Sequence, residues 1–287
     1  MTLKSVEVQF KEAWKQFQQA GIDSARIDAR ILLGFVLGGG AERVLAESHR
    51  NLTKAESKTF ETLVRRRLTH EPISHITGQR EFWSLPFKVS AATLIPRPDS
   101  ETIIETALES VKTPPKKILD LGTGSGCLLL ALLNEWETSK GIGLDACPEA
   151  LAIAQENAQT LGLDRRAKFV HGNWQRDQWF INLGGPFDMV ISNPPYILDQ
   201  DIEGLDVGVR DFEPRSALAG GADGLNAYRI IIQSLSSVLN TKGLVVFEVG
   251  QGQDHQVMHM LKSQEFINIE SRQDLSGIAR VVMAQSL

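Results

Sequence analysis

Asn193-Pro194-Pro195-Tyr196 places a carboxamide, two prolines and a phenol directly after the apolar run Phe187-Asp188-Met189-Val190-Ile191-Ser192. The run reads as a buried strand. The prolines end it, because each lacks an N–H, fixes φ and keeps the preceding residue out of the helical region. What remains is a stiff elbow at the C-terminal edge of a sheet, where open α/β folds hold ligands. Such an elbow suits a planar –NH2 group: the Asn193 side-chain oxygen and the Pro194 carbonyl each accept one N–H, and Tyr196 covers the flat face. A Pro-Pro turn can also do no more than end a strand and begin a surface loop.

A second constellation is Lys117-Ile118-Leu119-Asp120-Leu121-Gly122-Thr123-Gly124-Ser125-Gly126, a strand opening into glycines and then a helix from Cys127 to about Trp136. Glycines let a ligand approach the backbone closely, at a helix end whose free N–H groups favour negative charge. The dinucleotide fingerprint requires GxGxxG, and here the third glycine comes one residue early, with Cys127 in the fingerprint position. GxGxG preceded by an acid is instead the pattern of S-adenosylmethionine-dependent methyltransferases. The next strand, Gly141-Ile142-Gly143-Leu144-Asp145, ends in an acid about 20 residues further on, where a carboxylate accepts ribose hydroxyls. Asp145 could otherwise serve only as a cap for the following helix. After a third strand, Lys168-Phe169-Val170-His171, Trp174 is placed to lie beside an adenine ring.

Hydrophobic periodicity marks out the surrounding secondary structure. Val6, Phe10, Ala13, Trp14 and Phe17 recur at helical spacing, as do Ile27, Ile31, Leu32 and Phe35, and later Phe60, Leu63, Val64 and Leu68. Residues 1–74 are therefore expected to form a small helical bundle that binds a partner. Thr53 and Glu56 form a capping box for its last helix. The run Arg65-Arg66-Arg67 at that helix's end reads either as a solvated terminus favoured by the dipole or as a contact surface for an acidic or RNA-bearing partner.

Residues 75–95 read as a linker containing a β-hairpin around Phe82, Trp83, Phe87 and Val89. Ile95-Pro96-Arg97-Pro98-Asp99 makes a stiff corner, with Asp99 expected to cap a helix over 100–111. Residues 96–287 alternate strands and helices and close with two strands, at about 266–270 and 278–284. That order predicts an α/β, doubly wound, largely parallel sheet with an antiparallel edge.

Composition excludes several classes. A net charge of −5 over 287 residues argues against affinity built on neutralising many phosphates. No apolar run approaches the roughly 18 residues a membrane span requires, and no hydrophobic signal region opens the chain. Cys127 and Cys147 have no CxxC spacing, so neither a disulfide framework nor a cysteine zinc site is expected, and a reducing cytoplasm is the natural compartment. His255 and His259 lie four apart on an expected helix without a further ligand, which reads as a surface pair and not as a metal site.

Taken together, Gly78-Gln79-Arg80-Glu81-Phe82-Trp83, Leu94-Ile95-Pro96-Arg97-Pro98-Asp99, Leu119 to Gly126, Asn193 to Tyr196, Phe212-Glu213-Pro214, Gly220-Gly221-Ala222-Asp223-Gly224-Leu225, and Asp274 with Gly277 and Arg280 resemble the HemK/PrmC family. Its members are glutamine-N5 methyltransferases of peptide chain release factors. Cys147 departs from the pattern, since many relatives carry Ser after the ribose-binding acid.

The resemblance implies a Rossmann-like class I methyltransferase domain and S-adenosylmethionine as methyl donor. It implies as substrate the glutamine of the Gly-Gly-Gln motif in class-1 release factors. Gly122, Thr123, Gly124, Ser125, Gly126, Asp145, Trp174 and Asn193 would bind the donor; Asn193, Pro194, Pro195 and Tyr196 would hold the glutamine, with Asn193, Pro194 and Tyr196 at the reacting amide. A monomer that meets its partner transiently, without stable nucleic-acid binding and without a membrane, completes the expectation. An adenine-N6 methyltransferase could use the same elbow on a flipped base, and a non-catalytic adaptor is the remaining class.

Overall fold

The computed structural model describes residues 4–287. The chain divides into two compact units, one holding the described residues up to Gln79 together with Asp206–Phe212, the other holding Arg80–Leu205 and Glu213–Leu287.

The first unit contains helices α1 (Val6–Gln19), α2 (Ala25–Val36), α3 (Ala41–Ala46), α4 (Lys54–Leu68) and α5 (Ile73–Thr77). Val6, Ala13 and Phe17 of α1 pack with Ala29, Leu32 and Leu33 of α2 and with Phe60, Leu63 and Val64 of α4. The stripe expected on α2 is only partly the buried one: Ile27 is 64% exposed and Phe35 46%. Both lie on a second stripe of the same period, while small Ala25 and Ala29 continue the face carrying Leu32 and Leu33, an instance of pattern fixing the period but not the phase. The Thr53–Glu56 capping box forms as expected.

Two of the three arginines ending α4 follow neither expectation. Arg66 donates to Glu71 and to the carbonyls of His75 and Ile76, and Arg67 pairs with Asp28 of α2 at 2.8 Å, with side chains only 13% and 6% exposed. They fasten the unit internally. Breaking a buried ion pair from one side strands the other charge, at a cost of about 3–5 kcal/mol. Arg67→Ala is accordingly expected to lower stability by roughly that amount in urea titration, and a change within about 0.5 kcal/mol would contradict the assignment.

The expected hairpin forms from β1 (Gln79–Phe82) and β2 (Leu85–Lys88), and from Arg80 onward it belongs to the second unit. The start of the expected linker is helical instead: Pro72 opens α5, and Gly78 ends it at φ +74°. A 3-10 turn, Pro98–Ser100, leads into α6 (Glu101–Glu109). Asp99 does not cap this helix; its carboxylate lies 3.4 Å from Arg280, and the cap position falls to Ser100.

There follow β3 (Lys117–Leu121), α7 (Cys127–Glu135), β4 (Lys140–Asp145), α8 (Pro148–Thr160), β5 (Ala167–His171) and β6 (Phe187–Ser192). A turn of helix, α9 (Val207–Arg210), lies in the excursion assigned to the first unit. Then come α10 (Asn226–Val238), β7 (Leu239–Glu248), α11 (Asp254–Ser263), β8 (Ile267–Gln273) and β9 (Ala279–Gln285).

The seven strands run in the order β5-β4-β3-β6-β7-β9-β8. The first five are parallel, and β9 and β8 close the edge antiparallel. Alternation along each strand divides the core: Ile118, Met189 and Ile191 face α6 and α7 residues, while Leu119, Leu121 and Val190 face α10 and α11 residues. The strand order reverses between β3 and β6, so a crevice opens at their C-terminal ends.

Candidate active site

The C-terminal ends of β4, β3 and β6 are neighbours, and each turns into one of the stretches that could do chemistry. After β3, Gly122, Gly124 and Gly126 all have positive φ (+73°, +54° and +80°), which side-chain-bearing residues adopt only with strain. The Gly122 and Thr123 N–H groups both donate to the Leu144 carbonyl, at 2.9 and 3.0 Å, tying the loop to β4. At the end of β4, Asp145 Oδ2 accepts the Gly124 N–H at 2.8 Å and Oδ1 the Cys147 N–H at 2.9 Å. The departure at Cys147 thus leaves Asp145 undisturbed, since only the backbone of residue 147 supports it.

These loops enclose a cavity of about 490 Å³. Gly122, Thr123, Gly124, Ser125, Asp145, Trp174, Asn193 and Pro195 lie on its wall, brought together from four separate strand ends. Gly126 does not. It caps α7, where a Cβ would come within 3.2 Å of Ala154 and Leu130, so its missing side chain serves helix packing.

Pro194 and Tyr196 are also absent from the wall. Pro194 is buried, and no backbone donor among the described residues occupies its carbonyl. Tyr196 does not cover the cavity as expected: its hydroxyl donates to Glu248 Oε1 at 3.1 Å, and its carbonyl accepts from Gln253 Nε2 at 3.0 Å. Burial pushes the phenol well above its ordinary pKa, with the Glu248 charge adding to the effect. The residue anchors the elbow.

A glycine-rich segment buttresses the same place. Ile197 exchanges hydrogen bonds with the Leu218 carbonyl (3.0 Å) and the Gly220 N–H (2.8 Å), and a Cβ on Gly220 would stand 2.8 Å from the Tyr196 backbone.

Asn193 is held by its nitrogen. Nδ2 donates to Ser100 Oγ at 3.3 Å, and no donor among the described residues reaches Oδ1. The rigid corner before α6 also contributes Arg97 to the wall, clamped by the buried Glu213, whose other oxygen accepts the Ile95 N–H at 3.2 Å. Burial raises the Glu213 pKa, and Arg97 opposes that shift.

Sequence reasoning passed over Asp120 as a site residue. Its Oδ2 accepts the Thr123 hydroxyl at 2.6 Å, while Oδ1 is buried at the base of the glycine loop without a partner, as is Ser125 Oγ. Burial pushes this carboxyl up to about 7, and Asp145 adds to the shift. Ser125 lies on the cavity wall while Asp120 is fully buried beneath the loop and off the wall, so an unpartnered carboxyl oxygen underlies the glycine loop, which fits a ligand bearing a cation.

The raised pKa has a stability consequence. The folded state holds the proton more tightly than the unfolded chain, so stability falls as pH rises from about 4 to about 7 and the loss is complete above that. Asp120→Asn keeps the shape without the charge; its stability advantage over wild type is expected to grow between pH 5 and pH 8, reaching a few kcal/mol at most, on the order of 4. Parallel stability curves in urea would contradict this.

His255 and His259 stand on the exposed face of α11, His255 with its side chain 89% exposed. No group of three His, Cys, Asp or Glu among the described residues is arranged to hold a metal. No described helix is long and apolar enough to cross a membrane.

The parallel sheet with its antiparallel edge, the glycine loop after the first central strand and the cavity at the switch point define a class I methyltransferase domain. Residues 112–280 match the family model described as a methyltransferase domain. The crystal structure of the hMettl16 catalytic domain in complex with the MAT2A 3'UTR hairpin 6 has the same fold, with a TM-score of 0.57 at 16% identity over 83% of this chain and 84% of that one.

Residues 10–78 match the PrmC N-terminal domain, and the chain belongs to the release factor glutamine methyltransferase family. A member from Rhodospirillum rubrum is 42% identical over 95% of this chain and 82% of its own length. One from Escherichia coli is 39% identical over 96% of each.

Proposed function

We propose that this chain transfers a methyl group from S-adenosylmethionine to the side-chain amide nitrogen, N5, of the glutamine in the Gly-Gly-Gln motif of class-1 peptide chain release factors. The observation that carries the proposal is the Asn193 carboxamide, fixed through its nitrogen with its oxygen left for an outside donor, on the wall of the cavity that also holds the glycine loop. The names of the relatives supply the release factor, and the elbow supplies a reason for an amide.

In this reading Asp145 accepts the ribose hydroxyls, Trp174 flanks the adenine, and Gly122 to Ser125 leave room for the amino-acid end. The orphaned Asp120 Oδ1 suits its ammonium group. When bound, the donor provides a methyl group on a positively charged sulfur, already activated for direct displacement.

The protein's task is then to hold and orient the acceptor. An amide nitrogen is a poor nucleophile because its lone pair is delocalised into the carbonyl. Accepting one N–H at Asn193 Oδ1 and the other at the Pro194 carbonyl favours electron density on that nitrogen and fixes its direction. Holding two reactants in near-attack geometry supplies several kcal/mol, up to about 7–11. Direct transfer needs no covalent enzyme intermediate, and the proton can leave to water. A cytoplasmic monomer that engages its release factor transiently is consistent with this task.

Incubating the protein with methyl-labelled donor and, separately, a release factor and a DNA or RNA duplex tests the proposal. Label on the release factor, lost when its Gly-Gly-Gln glutamine is changed, is the expected result. Label on adenine instead would transfer the elbow to a nucleic-acid methyltransferase.

A further inference from the structure

One buried carboxylate holds the elbow at two points. Glu248, the last residue of β7, is 1% exposed. Its Oε2 accepts the Ser100 hydroxyl at 2.5 Å and its Oε1 the Tyr196 hydroxyl at 3.1 Å. Ser100 Oγ, with its proton so committed, offers a lone pair to Asn193 Nδ2.

The position of Ser100 makes the arrangement informative. It stands at the N-cap of α6, where a serine hydroxyl ordinarily accepts a backbone N–H of the first turn. Here the side chain makes no cap bond and turns to Glu248 and Asn193. The helix forgoes a cap, and the hydroxyl joins an acceptor to a donor across three separate elements.

We infer that Glu248 and Ser100 are positioning residues that set which end of the Asn193 carboxamide faces the acceptor. Burial raises the Glu248 pKa, and the hydroxyls of Ser100 and Tyr196 and the charge of Arg280 oppose that shift. In its ionised form the carboxylate can only accept, so the Ser100 proton points at Glu248, the hydroxyl faces Asn193 as an acceptor, and only the Nδ2 end of the amide satisfies it. Oδ1 is left for the incoming N–H. Were the carboxylate replaced by a group that donates, the Ser100 proton would turn to Asn193, and the oxygen the substrate needs would be spent inside the protein. The inference rests on the proposed amide-methylating function and adds the device that prepares its principal acceptor.

Glu248→Gln performs that replacement with the same shape. Its Nε2 puts a donor where one of the two carboxylate oxygens accepted, so the Ser100 and Tyr196 hydroxyls no longer each face an acceptor. The expected result is a fall in kcat for release-factor methylation of about tenfold to a hundredfold, with the dissociation constant of the methyl donor unchanged. Ser100→Ala is expected to lower kcat in the same selective way, and the double variant to lose no more than the worse single one, since both act through one amide.

The side-chain amide resonances of Asn193 give a readout that does not depend on turnover. In the wild type one Nδ2 proton should be protected from exchange, and in Ser100→Ala neither. If kcat and donor affinity fall together, if losses multiply in the double variant, or if Asn193 protection is unaltered, the relay is overturned. Wild-type protein that methylates no release factor in the same assay removes the function itself, and the relay as its positioning device.

Discussion

Asn193→Ala is expected to abolish most methyl transfer, lowering kcat by at least about 100-fold, while the donor's dissociation constant stays within about threefold. The substitution deletes the only side-chain oxygen on the elbow that faces the cavity unpaired. It leaves the glycine loop, Asp145 and their mutual hydrogen bonds intact. An interaction that matters chiefly as charge shifts on the acceptor nitrogen appears in kcat, and loss of one such preorganised group costs about 2.7–4 kcal/mol. Ser100 loses a donor but keeps its bond to Glu248, so the wall itself should persist. Single-turnover kinetics with saturating donor, paired with calorimetric titration of the donor, separate the two effects. Normal turnover in the variant would remove Asn193 from the reaction.

Asp145→Ala is expected to act in the opposite sense. The carboxylate accepts from Gly124 and Cys147 and so holds the loop, and in the proposed function it also offers lone pairs to the ribose hydroxyls. Hydrogen bonds to a charged group are each worth about 1.5–3 kcal/mol, so losing the acceptor should raise the donor's dissociation constant by roughly 100-fold. Turnover at saturating donor should fall far less. Calorimetry measures the first quantity directly, and a dissociation constant within about threefold of wild type would exclude Asp145 from the donor site.

Much of the sheet was legible because its signals are local. Apolar strands ended by glycine or proline, and a helix opening from glycines, mark β3, β4, β6 and α7 within a residue or two. The phase of α2 was not, since Ala25 and Ala29 bury a face that Ile27 and Phe35 advertise more loudly. Arg66 and Arg67 illustrate a related limit: a run of like charges reads as surface, yet their partners Glu71 and Asp28 lie in other segments.

At the site, Gly122, Asp145, Trp174 and Asn193 were legible from spacing after strand ends. Gly126 and Tyr196 belonged to the same motifs but face helix packing and Glu248, which spacing cannot distinguish from facing a cavity. Asp120 was counted as part of a pattern and not as a buried orphan, because burial is a property of the assembled sheet. Ser100 and Glu248 stand 148 positions apart and carry no motif of their own. A glutamate ending the apolar run Leu244-Val245-Val246-Phe247 was the one available signal, for a charge there must find partners.

The central claim is that the elbow grips an amide by its two N–H groups. A crystal structure of the protein with the demethylated cofactor product and a Gly-Gly-Gln peptide tests it most directly. The account predicts the glutamine nitrogen within about 3 Å of both Asn193 Oδ1 and the Pro194 carbonyl. A glutamine bound elsewhere in the cavity, or bound while Oδ1 is turned to Ser100, would contradict it.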